Sequence, residues 1–140
     1  MKTVLVLEDN VAILALIRLV VERNGYMVLD ATSPQQALER FEKNDAQVDL
    51  VIADVKLPVS SGIRAALELR SLLPYLKIII MSGFPSPMWN EQDVAELGEL
   101  PSDSVIILQK PFLSATLLDS IYRLIGLPFI APALVVEAAS

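Results

Sequence analysis

Residues with the means to do chemistry stand where predicted strands end: Glu8 and Asp9, Asp54, Ser82, and Lys110. The sharpest case is Leu50-Val51-Ile52-Ala53-Asp54, an apolar run that stops abruptly at a carboxylate. Such a run reads as a parallel strand buried on both faces. In open α/β sheets, chemistry collects at the carboxyl ends of the strands. Taken alone, Asp54 is a nucleophile, a metal ligand or a helix cap. Three carboxylates crowded on one edge raise one another's pKa, and a divalent cation offsets that. An oxygen-only ligand set without His or Cys favours Mg²⁺, which keeps waters and shares its shell with phosphate. Ser82 adds a hydroxyl donor, and Lys110 a compact cation suited to a phosphoryl oxygen. Metal, nucleophile, hydroxyl and cation together suit phosphoryl transfer onto a carboxylate.

The elements that must position these residues are legible in order. Thr3 to Leu7 reads as a buried strand, and Asn10 or Asp9 can cap a helix from near Val11. Leu14, Ile17, Val20 and Val21 recur at helical spacing, with Gly25 as a stop. Tyr26 to Ala31 is a second strand. Ser33-Pro34 then opens a helix to about Lys43, with Ala37, Leu38 and Phe41 expected to face inward. After the Asp54 strand, Pro58 and Ser60-Ser61-Gly62 make a loop, and a helix runs from about Gly62 to Leu73. Lys77 to Met81 is the fourth strand, ending in Ser82-Gly83. Asn90 or Gln92 to Leu97 is a short helix, and Val105 to Leu108 the fifth strand. Ser114 is expected to cap a last amphipathic helix carrying Leu117, Leu118, Ile121, Leu124 and Ile125. Strands alternating with helices predict an α/β fold, a doubly wound five-stranded parallel sheet with helices on both faces.

At 140 residues with 54% hydrophobic and 20% charged residues, the chain reads as one folded domain. A net charge of −6 argues against sequence-independent nucleic-acid binding. Without cysteine there is no disulfide framework. Without histidine the chain is neither a histidine kinase, nor a Ser-His-Asp hydrolase, nor a His-ligated zinc enzyme. Glu8 and Asp9 cut the first apolar segment too short for a signal peptide, and no apolar stretch reaches membrane-spanning length. A cytoplasmic protein with no membrane partner is the expectation.

Taken together, the acidic pair Glu8-Asp9, Asp54 in Asp-Val-Lys-Leu-Pro, Ser82-Gly83 and Lys110-Pro111-Phe112 resemble the receiver domain of two-component response regulators, a flavodoxin-like fold. The resemblance covers roughly Lys2 to Gly126. Each piece alone is common, and each has a plain structural reading as cap, turn or surface charge; their joint order at strand ends is specific. The resemblance implies that Asp54 accepts a phosphoryl group from a histidine kinase or phosphotransfer protein. It implies Mg²⁺ at Glu8, Asp9, Asp54 and the backbone carbonyl of Lys56. Ser82, Gly83 and Lys110 would bind the phosphoryl group, and the Lys110-Pro111 bond would be cis. As a phosphoacceptor, the chain would catalyse only its own phosphorylation and dephosphorylation.

Two departures bear on output. Many receivers carry an aromatic residue three positions before the lysine; here it is Ile107, which has no ring or hydroxyl to expose, and Phe112 reads as a core anchor. Lys56 and Phe84, two residues beyond Asp54 and Ser82, are expected to modulate access to the phosphate. A haloacid-dehalogenase-like phosphatase is a poorer match, because Lys56 stands where that family needs a second Asp and the nucleophile strand comes third. A receiver-fold docking module that is never phosphorylated is a further alternative. A flavodoxin-like cofactor site lacks a phosphate loop after strand one. Residues 127–140 form an apolar extension, read as an arm over the domain or a dimerisation segment with the last helix. Read as complete, the chain would be a stand-alone regulator signalling through a protein contact.

Overall fold

A computed structural model describes residues 1–58, 60–83 and 89–128 of the chain. Its strands are β1 (Thr3–Leu7), β2 (Met27–Ala31), β3 (Leu50–Asp54), β4 (Lys77–Ser82) and β5 (Val105–Gln109). They pair in parallel in the order β2-β1-β3-β4-β5. Each connection is long enough to carry a crossover helix: α1 (Val11–Arg23), α2 (Pro34–Lys43), α3 (Gly62–Leu72), α4 (Glu91–Gly98), with α5 (Ser114–Ile125) closing the fold. The chain winds outward from β1 to β2, then returns past β1 to β3. The carboxyl ends of β1 and β3 therefore flank the point where winding reverses, which is where open α/β sheets leave a crevice.

Strand alternation divides the core into two layers. Leu5, Leu7, Val51, Ala53, Ile78 and Ile80 pack with Ala37 and Phe41 of α2, Ile63 and Leu69 of α3, and Leu97 of α4. Val4, Val6, Leu50, Ile52, Ile79 and Met81 pack with Leu14, Ile17 and Val21 of α1 and Leu117 and Ile121 of α5. Burial on both faces explains why β1 and β3 read as unbroken apolar runs.

Side-chain caps fix where helices begin. Asn10 accepts from the amides of Ala12 and Ile13, Ser33 from Gln36, Ser61 from Ile63 and Asn90 from Asp93. Two expectations are corrected. Ser114 is the first helical residue of α5 rather than its cap; Leu113 holds the cap position in extended backbone, and its carbonyl accepts from Thr116 and Leu117. Leu38 does not face inward, because Ala37 and Phe41, one turn apart, already occupy the narrow sheet-facing stripe of α2. Leu38 instead stands beside Leu69 and Leu72 along the α2–α3 groove.

At the opposite edge from the crevice, the Tyr26 hydroxyl donates to the Gly126 carbonyl at 2.7 Å, tying the start of β2 to the end of α5. Burial pushes the Tyr26 phenol above its usual range, with a smaller contribution from Tyr122. Tyr26→Phe should keep the packing and remove only this bond, costing about 1 kcal/mol of stability in urea unfolding. An unchanged midpoint would mean the bond adds nothing over solvent. Lys2 donates its amide to the Pro128 carbonyl, so the described chain ends against the start of β1. Residues 129–140, most of the apolar extension, lie outside the described residues, as does Phe84. Among the described residues, no helix is long and apolar enough to cross a membrane.

Candidate functional site

At the crevice the ends of β1, β3, β4 and β5 enclose an open cavity of about 500 Å³, lined by Glu8, Asp9, Asp54, Lys56, Gly83 and Lys110 among others. Each arrives by a definite route. Glu8 follows β1 at once, and its amide donates to the Ala31 carbonyl, which holds it at the sheet edge. Asp54 closes β3, in register with Met81 of β4. Lys110 follows β5; its amide donates to the Ser82 carbonyl at 2.7 Å, and the Lys110-Pro111 peptide is cis.

The side chains converge. Lys110 Nζ donates to Glu8 Oε1 and to Asp54 Oδ2, each at 2.7 Å. Asp54 Oδ1 accepts from the Lys56 amide at 3.1 Å, and Glu8 Oε2 from the Asn10 amide at 3.3 Å. Glu8, 1% exposed at its side chain, is the most buried of the carboxylates, while Asp9 is exposed. Burial pushes the Glu8 carboxyl up, the Lys110 hydrogen bond pulls it partly back, and the nearby Asp54 charge adds to the rise. Burial alone would lower the Lys110 ammonium, but its hydrogen bonds to Asp54 and Glu8 outweigh that, leaving it raised.

Glu8, Asp9 and Asp54 each bring a carboxylate oxygen within 4.8 Å of the other two. Three carboxylates against the single ammonium that bridges two of them leave negative charge that a small hard cation would offset. The donor set is all oxygen and opens to a wet cavity, so it fits Mg²⁺. The arrangement can hold such an ion and present a carboxylate oxygen beside an ammonium.

Other expected residues take different places. Gly83 lines the cavity, whereas Ser82 is buried and its Oγ accepts from Trp89 Nε1 at 3.2 Å. Ile107 of β5 is half exposed and lies away from the carboxylates, in a groove it shares with Trp89. Phe112 packs partly buried on the α1–α5 layer. Two residues that sequence reasoning passed over matter here. Trp89 carries no periodic signal that would link it to Ser82, seven residues before it. Gly62 reads as an ordinary loop glycine, yet it packs against the backbone of Asp54.

Residues 4–122 match the model of the response regulator receiver domain family. The chain is 34% identical over 111 residues to sensor kinase CckA of Brucella abortus, covering 79% of this chain and 11% of that much longer protein. Among solved structures, a response regulator receiver domain protein from Clostridium thermocellum superposes with a TM-score of 0.73 at 29% identity, covering 90% of this chain and 95% of that one. Response regulator protein TrrA of Thermotoga maritima, solved in complex with Mg²⁺ and BeF, gives 0.69 at 26% identity, over 89% of this chain and 99% of that one.

Proposed function

Because this chain belongs to the response regulator receiver domain family of two-component systems, we propose that Asp54 is its phosphoacceptor. The observation that carries this is the pairing of Asp54 Oδ2 with the Lys110 ammonium at 2.7 Å, beside Glu8 and Asp9, at the mouth of a solvent-open cavity. A carboxylate oxygen of Asp54 attacks the phosphorus of a phosphohistidine. The new O–P bond forms as the N–P bond breaks, and its electron pair stays on the imidazole of the donor protein. Lys110, already within hydrogen-bond reach of Asp54, turns to an oxygen of the incoming phosphoryl group. The Gly83 amide and the Ser82 hydroxyl take others.

Glu8, Asp9 and Asp54, with the Lys56 carbonyl, would hold Mg²⁺, as the TrrA complex supports by analogy. When bound, the ion supplies positive charge to the phosphoryl oxygens. The Lys56 ammonium, on an exposed residue at the cavity rim, adds a mobile cation that tunes access of water. The chain otherwise catalyses only its own phosphorylation and the hydrolysis that ends it.

The donor is a sensor histidine kinase or phosphotransfer protein in the cytoplasm. Output is a protein contact from a receiver unit of residues 1–126, with the apolar extension 127–140 serving as an arm over the domain or as a dimerisation segment; no nucleic acid or membrane is engaged. Incubation with acetyl phosphate should add one phosphate to the intact mass when Mg²⁺ is present and none when it is chelated. Equal labelling without the metal would contradict the metal assignment. No labelling in either case would favour a receiver fold used only for docking.

A further inference from the structure

Ser82 is not among the described residues lining the acidic cavity, although it ends the strand beside β3. Alternation explains this: Ile80 faces the α2–α4 layer and Met81 the α1–α5 layer, so Ser82 turns back toward the first. There its Oγ meets the indole of Trp89, 7% exposed and packed in the same layer as Leu97. Trp89 also forms one wall of a groove of about 450 Å³ between α4 and β5, with Val94, Leu97, Val105 and the half-exposed Ile107. One side chain thus touches both the hydroxyl expected to bind phosphate and the outer groove.

We propose that Trp89 carries the state of the Ser82 hydroxyl to the α4–β5 groove, the part that an aromatic ring at position 107 would otherwise play. This rests on phosphorylation of Asp54 as proposed above. Serine side chains occupy discrete staggered wells, so bringing Oγ to a phosphoryl oxygen on Asp54 means leaving the present one. A bond already at 3.2 Å, the long end for N–H···O, does not survive that move. The indole N–H then loses its bond to the Ser82 hydroxyl and is drawn toward the wet groove. The ring moves outward, and the wall it forms with Ile107 changes shape.

Trp89 is the only tryptophan in the chain, so its emission reads this directly. The full chain is treated with acetyl phosphate and Mg²⁺ while intact mass and indole fluorescence are followed together, alongside Asp54→Asn and Ser82→Ala. Emission should move to longer wavelength in step with the mass adduct, and stay fixed in Asp54→Asn under the same reagents. Ser82→Ala, before any phosphate is added, should already emit near the wavelength of the phosphorylated parent. A full adduct with unmoved emission overturns the role of Trp89 and leaves the phosphoacceptor standing. So does a Ser82→Ala spectrum equal to that of the untreated parent. Failure of the parent to form an adduct removes the phosphoacceptor, and this inference with it.

Discussion

Gly62→Ala is expected to be the most damaging small substitution in the described fold. A Cβ at position 62 would lie 1.8 Å from the Asp54 carbonyl oxygen and 2.7 Å from its carbon. Both are backbone atoms, so no rotamer change relieves the clash; either the end of β3 or the first turn of α3 must move. Overpacking a core side chain costs roughly 1–3 kcal/mol, and a backbone collision should exceed the top of that range. With typical domain stabilities of about 5–15 kcal/mol, that is a large share. The same displacement shifts Asp54 relative to Lys110, so phosphoryl incorporation should fall with stability. Gly98→Ala is the matched control: its Cβ meets nothing within 4 Å, and it ends a helix where alanine is the better former. Urea unfolding should therefore show a large drop in midpoint for position 62 and no loss for position 98. Equal midpoints for the two variants would mean that β3 and α3 part without cost.

Lys110→Met should cost nearly as much, for an electrostatic reason. The ammonium is the hydrogen-bond partner that Glu8 and Asp54 share, and Glu8 is almost fully buried. Removing one partner of a buried ion pair typically costs about 3–5 kcal/mol. Lys110 is 22% exposed, so solvent screening brings the expectation to roughly 2–3 kcal/mol. The loss should depend on pH. Glu8 is already raised by burial, and loss of the Lys110 hydrogen bond raises it further. A carboxyl raised in the folded state holds its proton more tightly than in the unfolded chain. Its contribution is therefore full below the unfolded pKa and is lost as pH rises through the folded one. The gap between Lys110→Met and the parent should thus widen from pH 5 to pH 7. Mg²⁺ should narrow it at neutral pH by replacing the missing positive charge. Labelling by acetyl phosphate should slow by about 10–100-fold, the loss of one charge-assisted hydrogen bond to the reacting group. A pH-independent gap, or one that Mg²⁺ leaves unchanged, would remove Lys110 from the acidic cluster.

The chain discloses its sheet readily because β1 and β3 are buried on both faces, leaving unbroken runs such as Leu50 to Ala53. Turn chemistry marks most helix starts: Ser33 caps α2 just ahead of Pro34, and Asn90 caps α4. Leu113 shows the limit: a cap set by backbone conformation leaves no side-chain signature, so the adjacent Ser114 attracts the assignment. Leu38 shows another, since an apolar residue beside the sheet-facing stripe can line an inter-helix groove instead. At the site, the carboxylates and lysine are legible because each immediately follows or ends a strand. Ser82 has the expected position, but its hydroxyl accepts from Trp89, seven residues on, a contact with no local pattern in the sequence. The close approach of Gly62 to Asp54 is likewise a tertiary fact, visible only once α3 is docked on β3.

The assignment of Asp54 is tested most directly by trapping the acyl phosphate where it forms. The chain is phosphorylated with acetyl phosphate and Mg²⁺, reduced with borohydride to convert an aspartyl phosphate to homoserine, digested, and its peptides sequenced by mass. Homoserine at position 54, absent when acetyl phosphate is omitted, is the predicted result. Homoserine at Asp9 or another aspartate, with Asp54 intact, would contradict the account.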